Sequence, residues 1–136
     1  MSTYELYGAA TVRLMLVVLA ITQLLMPPMA QAQMLTRSSE ITLAICTMAR
    51  DDDTRKLQQK LMELRLRLRD IYAGIRCNQQ SLIQFALSYQ ATNIAVYLAS
   101  YVNVDDLVES GDIEWLRQRN LLDTPVGRIV RERVYN

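Results

Sequence analysis

The chain has 136 residues, 15 of them basic and 14 acidic, which gives a net charge of +1. A balance so close to zero argues against a nucleic-acid-binding protein, which carries a marked excess of Lys and Arg. Histidine is absent. Because imidazole is the commonest general base and transition-metal ligand, this absence excludes Ser–His and Cys–His catalytic sites and zinc sites that contain His.

The N-terminal segment has the pattern of a secretory signal peptide. Residues 14–26 are uncharged, follow Arg13, and precede a Pro pair and the small residues Ala30 and Ala32. A helix over 14–26 would span about 20 Å, whereas the hydrocarbon core of a bilayer is about 30 Å thick. We therefore predict a signal peptide over residues 1–32, cleaved behind Ala32. The alternative is an uncleaved signal anchor in the inner membrane.

The remaining residues, 33–136, have the size of a single domain, which we expect to be periplasmic or secreted. Helix-breaking residues are few in it: Gly74, Gly111, Pro125 and Gly127. Long helices joined by short turns are therefore expected. The predicted fold is all-α, a small bundle of four to five helices.

A first helix is predicted over residues 39–48, with Ser38 or Ser39 as its N-cap. Its apolar face would carry Ile41, Ala44, Ile45 and Met48. The three aspartates at 51–53 are typical of the cap of a following helix, because carboxylates accept hydrogen bonds from free amides and oppose the helix dipole. They lack the alternating oxygen ligands, central Gly and closing Glu of a calcium loop. We predict no metal site and no cofactor.

Apolar residues recur every three or four positions in the next segment, which predicts a long helix over 53–73. They are Leu57, Leu61, Leu64, Leu68, Ile71 and Ile75. Within this segment, residues 64–69 alternate Leu and Arg as a strand would. The longer helical period and the helix-favouring residue types outweigh that alternation.

Six basic residues of this predicted helix lie mostly off its apolar face. They are Arg55, Lys56, Lys60, Arg65, Arg67 and Arg69. One interpretation is a solvent-exposed face that Glu63 and Asp70 balance in part. The alternative is contact with an anionic surface, such as phospholipid or glycolipid head groups.

No charged residue occurs between Arg76 and Asp105. Polar residues scattered through this stretch disfavour a membrane span, because they would need partners inside the lipid. A buried helix pair with a joint at 90–93 is the better prediction. Its two apolar stripes would be Leu82, Phe85, Ala86 and Tyr89, and Ile94, Tyr97, Leu98 and Tyr101. A short helix is predicted to start at Asp112, and a last one at Thr124-Pro125.

The two cysteines, Cys46 and Cys77, would most simply pair in an exported chain. Closing this loop stabilises a fold by roughly 3 to 4 kcal/mol. A straight helix over 53–74 would be about 30 Å long, however, whereas linked alpha carbons lie about 4.4 to 6.8 Å apart. Either the first helix unwinds after Cys46, or the second is shorter or bent near the alternating Leu and Arg residues. Two unpaired buried cysteines are the alternative.

Several of these residues occur together in a known pattern. They are Ile45-Cys46, the acidic group 51–53, Ile71-Tyr72, Cys77-Asn78, Ser81-Leu82 and Phe85-Ala86. Over residues 41–104 the chain resembles a family of small exported bacterial two-cysteine helical proteins of unknown function. A glycine often follows the Cys-Asn pair in that family, where this chain has Gln79. The resemblance implies an envelope location and a two-cysteine helical fold, and it implies no activity.

These observations predict an exported, non-catalytic helical protein that binds another envelope protein. We expect no enzyme, because the acid pairs Asp105–Asp106 and Asp112–Glu114 look like helix caps and solvated turns. We also expect no nucleic-acid partner. The alternative function is a peripheral membrane or anionic glycolipid binder that uses the basic helix 53–73.

Overall fold

The computed structural model describes the backbone of residues 29–136 and the side chains of residues 37–136. Residues 37–136 form one compact unit. The predicted apolar run at 14–26 lies outside the described residues, and the predicted cleavage position behind Ala32 falls within the first described helix. None of the described helices is both long enough and apolar enough to cross a bilayer.

The described part of the chain is all-α, which confirms the predicted fold class. Its eight helices are α1 (Met29–Arg50), α2 (Thr54–Glu63), α3 (Leu68–Ile71), α4 (Leu82–Ser88), α5 (Thr92–Tyr101), α6 (Val104–Glu109), α7 (Asp112–Gln118) and α8 (Pro125–Tyr135). A short 3-10 helix, Tyr72–Gly74, follows α3. The helices outnumber the four to five predicted because the long helix expected over 53–73 is divided and because α6 was not anticipated.

Helix α1 begins ten residues before the predicted start. The predicted N-cap residues, Ser38 and Ser39, therefore lie inside the helix. The residues that precede them include Ala, Gln, Met and Leu, which favour helix, and no Gly or Pro follows Met29 within α1. The predicted apolar face is correct in part, because Ile45 is fully buried while Ile41 and Met48 are half-buried.

The long helix predicted over 53–73 is wrong, because the chain breaks after Glu63. Leu66 N–H donates to the Leu61 carbonyl and Arg65 N–H donates to the Met62 carbonyl. Arg65 has a φ of 54°. These are the two hydrogen bonds and the left-handed residue of a Schellman motif, which ends a helix. The two parts still bury residues of the predicted apolar face, among them Leu57, Leu61 and Leu68.

Three other helices end in the same way without glycine. Asp52, Gln90 and Asn120 follow α1, α4 and α7 with φ values of 55°, 60° and 57°. In each case the next residue donates its backbone N–H to a carbonyl in the last turn of the helix. Four helices thus end at a left-handed residue that is not glycine, the residue type that usually indicates such an end.

The predicted helix pair is confirmed: α4 and α5 pack against each other through a joint at 89–91. Phe85 and Ala86 of α4 and Leu98 of α5 are buried. Two tyrosines predicted on the buried stripes are exposed instead. Tyr89 and Tyr101 lie at the C-terminal ends of the two helices, where neighbouring elements no longer cover them.

Helices α6, α7 and α8 pack together, and α8 lies against α5. Thr124 is the N-cap of α8 and Pro125 is its first residue, as predicted. Gly127 lies so close to the preceding loop that a side chain there would meet the Leu121 carbonyl at 2.0 Å. Arg133 of α8 donates hydrogen bonds of 2.7 Å to the carbonyls of Ala99 and Val102, at the C-terminus of α5. A cation is stabilised there by the helix dipole.

Candidate functional site

Cys46 and Cys77 form a disulfide bond, with their alpha carbons 5.7 Å apart. The predicted pairing is confirmed. Cys46 lies on α1, and Cys77 lies just after the 3-10 helix. The bond is compatible with the intervening helix because the chain breaks at 64–67, so the second of the two predicted alternatives, a shorter second helix, is correct. The disulfide therefore fastens α1 to the segment that leads into α4.

The turn after Cys77 is tight. Cys77 and Gln80 exchange two backbone hydrogen bonds of 3.0 Å. The two central residues, Asn78 and Gln79, have φ values of 50° and 65°. Two consecutive positive φ values are characteristic of a type I′ turn, which usually contains glycine. The turn thus forms here without glycine.

The face of α1 around Leu43 is open to solvent. The Leu43 side chain is 69% exposed, and it borders two surface grooves of about 430 and 480 Å³. The first groove runs past the disulfide to Arg76 and Tyr89. The second is lined by residues of both charge signs, among them Glu40 and Lys56. The disulfide holds this apolar and mixed-charge face in a fixed position on the bundle.

The three consecutive aspartates have three different roles. Asp53 accepts a hydrogen bond from the Lys56 backbone N–H at 2.9 Å, so it caps α2 as predicted. Asp51 pairs with Arg50 at 2.7 Å, and this pair holds the pKa of Asp51 below its usual value. Asp52 bonds to the start of α5. Within residues 29–136, no cluster of three or more His, Cys, Asp or Glu side chains is arranged to hold a metal ion.

A carboxylate is buried where α7 meets α4 and the 3-10 helix. Asp112 has no exposed surface. Its Oδ2 accepts a hydrogen bond of 2.6 Å from the Tyr72 hydroxyl, and its Oδ1 accepts bonds from the Ser81 hydroxyl at 2.5 Å and from the Gln84 amide at 3.0 Å. Ser81 also caps α4, because its oxygen accepts the backbone N–H of Gln84. We name these four side chains the Asp112 cluster.

The pKa values of the Asp112 cluster reflect its burial. Removal from water raises the pKa of Asp112, and the hydrogen bonds from Ser81, Tyr72 and Gln84 oppose this rise. Burial also raises the pKa of Tyr72, and the neighbouring charge of Asp112 adds to the effect. All four side chains are buried. The cluster is therefore closed to substrates, and its role is to join three elements through the core.

The predicted solvated pair Asp112–Glu114 is correct only for Glu114. Glu114 is exposed and forms an ion pair with Arg117, one turn along α7. Asp112 lies on the opposite side of the same helix. There it is covered by its three hydrogen-bond partners, which precede it in the chain by 28 to 40 residues. The prediction that the protein is not an enzyme stays a prediction.

The six basic residues predicted to meet an anionic surface do not share one helix face. They are distributed over α2, the break and α3, and all but Lys60 are exposed. Three of them pair with carboxylates three positions away: Lys56 with Asp53, Lys60 with Glu63, and Arg67 with Asp70. Arg55, Arg65 and Arg69 form no ion pair with the described residues. Contact with a membrane stays a prediction.

Part of the chain matches the model of a known family. A family model described as "Protein of unknown function (DUF3718)" matches residues 45–109, just under half of the chain. Residues 45–109 are therefore similar to this family. The matched segment includes both cysteines, which confirms the resemblance to a two-cysteine helical family of unknown function. No curated protein and no solved structure matches the chain.

The DUF3718 match begins next to Cys46 and ends with α6. It includes three members of the Asp112 cluster, Tyr72, Ser81 and Gln84. The acceptor of all three donors, Asp112, lies outside it. The matched segment therefore places its buried donors against a residue that follows it in the chain.

Sequence reasoning did not identify the Asp112 cluster. A Gly-Asp pair in front of an apolar residue is typical of an exposed helix start, and the local pattern contains no sign of burial. A useful signal was the position of Tyr72 and Ser81, each next to apolar residues predicted to be buried. Buried hydroxyls need a hydrogen-bond partner, so these two residues indicate a polar group in the core.

Proposed function

We propose that this protein is a non-catalytic binding protein of the cell envelope, periplasmic or secreted, and that it binds another protein. The disulfide supports an oxidising location, because such bonds persist in exported proteins and are rare in the cytosol. The observation that carries the proposal is the exposed face of α1 around Leu43, held on the bundle by the Cys46–Cys77 bond.

The composition of this face favours a protein partner. An apolar centre, Leu43, is surrounded by residues of both signs, including Glu40, Arg50 and Lys56. An apolar centre with a polar rim is the usual anatomy of a protein–protein interface. An anionic membrane would instead favour a rim of uniformly basic residues.

A site-specific photo-crosslinker tests this proposal. Replacing Leu43 with p-benzoylphenylalanine in the full-length protein, in cells that produce it, should give a discrete ultraviolet-dependent adduct with one other polypeptide. The same replacement at Arg128, an exposed residue of α8, serves as the matched control and should not give this adduct.

A charge substitution provides the second readout. Leu43→Arg should abolish co-purification of the crosslinked polypeptide while leaving the unfolding midpoint unchanged, because Leu43 contributes little buried area. Identical adducts from positions 43 and 128, or no adduct from position 43, would count decisively against the proposal.

A further inference from the structure

A groove opens where the chain breaks between α2 and α3. Its volume is about 510 Å³, which falls in the range of roughly 300 to 1,000 Å³ typical of small-ligand sites. Six apolar or aromatic side chains form most of its wall: Leu61, Met62, Leu66, Leu68, Tyr97 and Tyr101. The groove exists because the Schellman motif at Arg65 turns the chain away and separates the end of α2 from α3.

The rim of this groove exposes large apolar side chains. Met62 is 71% exposed and Tyr101 is 63% exposed. The rings of Tyr97 and Tyr101 lie against each other, with their centroids 4.9 Å apart, and form one wall. Covering such surface removes it from water, so the hydrophobic effect favours a ligand that has an apolar chain.

The charged residues of the groove are all cationic. Arg67 and Arg69 line it, and no Asp or Glu does. Arg67 is held by Asp70, whose carboxylate accepts two bonds from its guanidinium. The Arg69 guanidinium makes no hydrogen bond or ion pair with the described residues, so it is available to an anion. A guanidinium binds a carboxylate through strong charge-assisted hydrogen bonds.

We propose that this groove binds one free fatty acid. The acyl chain would lie against Leu66, Met62 and the two tyrosines, and the carboxylate would pair with Arg69. A concave site of this size suits a single chain, whereas a flat bilayer would meet only its rim. This inference goes beyond the proposed protein-binding function and uses a different surface from the Leu43 face, so either one can fail alone.

A fluorescent fatty acid gives a direct test. The purified, disulfide-bonded protein is titrated with cis-parinaric acid below its critical micelle concentration, and we expect saturable binding of one molecule per chain. Palmitate should displace the probe about tenfold more effectively than hexadecanol, as one charge-assisted hydrogen bond predicts. Equal displacement by the acid and the alcohol would overturn the pairing of the carboxylate with Arg69.

Three variants locate the site. Met62→Glu should abolish probe binding, and Arg69→Gln should weaken palmitate about tenfold while leaving hexadecanol unchanged. Arg55→Gln removes an exposed cation of α2 that does not line the groove and should have no effect. Both test positions are exposed, and far-ultraviolet circular dichroism confirms that each variant is folded.

Three outcomes contradict the proposal. The first is absence of saturable probe binding. The second is probe binding that Met62→Glu and Arg69→Gln leave unchanged. The third is binding to phosphatidylglycerol vesicles without binding of monomeric fatty acid, which would identify a membrane surface and not a single chain as the ligand.

Discussion

The Asp52 carboxylate accepts a hydrogen bond of 2.7 Å from the backbone amide of Ile94, forty-two residues later in the chain. Its other oxygen accepts a bond of 2.7 Å from the Asn93 side chain. The N-cap residue of α5 is Ala91, which has no side-chain acceptor of its own. Asp52 therefore provides from the end of α1 the cap that α5 lacks, and it fastens the two helices together.

Removal of this cap should destabilise the fold. We expect Asp52→Ala to lower the free energy of unfolding by about 1 to 2 kcal/mol, because a free amide of α5 loses its acceptor. Asp52→Asn is the matched control, since Asn tolerates the left-handed backbone and keeps one acceptor oxygen. Urea unfolding measures both. An alanine variant as stable as the asparagine variant would contradict the capping role.

The buried carboxylate of Asp112 should make stability depend on pH. Burial raises the pKa of Asp112 in the folded state above its value in the unfolded chain. The folded state therefore binds the proton more tightly, so this contribution to stability is present below the unfolded pKa and is lost as pH rises through the folded pKa.

The Asp112→Asn variant isolates this effect, because Asn keeps a similar shape and does not titrate. The stability of the variant relative to the wild type should rise with pH through the window between the two pKa values and then level off. Urea unfolding at a series of acidic to neutral pH values gives this difference. The contributions of the exposed carboxylates cancel in it, because both proteins contain them. A difference that does not change with pH would show that the pKa of Asp112 is not raised.

The disulfide should contribute a large share of the stability. Its cysteines are 31 positions apart, and the loop-entropy estimate for that separation is roughly 3 to 4 kcal/mol. The double variant Cys46→Ser and Cys77→Ser should lose about this amount in urea unfolding. Reductant should destabilise the wild type and leave the double variant unchanged. Intact mass without reductant should show the loss of two hydrogens, and a wild type that reductant does not weaken would refute the role.

Replacing Arg65 with glycine should raise the free energy of unfolding. The left-handed conformation costs an ordinary residue about 1 to 2 kcal/mol, and glycine avoids this cost. Part of the gain is offset because glycine increases the conformational entropy of the unfolded chain. We expect Arg65→Gly to stabilise the protein by about 0.5 to 1 kcal/mol. The same replacement at Arg69, inside α3, should destabilise it by about 1 kcal/mol. Thermal and urea unfolding compare the two, and destabilisation by both would disprove the Schellman assignment.

Features that depend on neighbouring residues could be predicted from the sequence. The spacing of Leu57, Leu61 and Leu68 identified a buried face, and Thr124-Pro125 identified the start of α8, because both signals are local. The pairing of Cys46 with Cys77 predicted either that the first helix unwinds after Cys46 or that the second is shorter or bent, and the second alternative is correct. The helix end at Arg65 was missed, because this residue takes a left-handed conformation that favours glycine and nothing in its residue type predicts it.

Features that depend on distant partners could not be predicted. The burial of Asp112 arises from hydroxyl and amide donors on the 3-10 helix and α4, and no periodicity in α7 indicates them. The cap that Asp52 supplies to α5 has the same origin. The groove beside Arg67 and Arg69 could not be predicted either, because it exists only where α2 stops early.

The hydrogen bonds of Arg133 to the end of α5 show that the family match and the folding unit have different boundaries. The matched segment stops at residue 109, yet Arg133 and Asp112 supply partners to groups inside it. A fragment that ended at 109 would leave the hydroxyls of Tyr72 and Ser81 without their acceptor. A recombinant form of the matched segment should therefore include residues 110–136, because its buried hydroxyls need their partner.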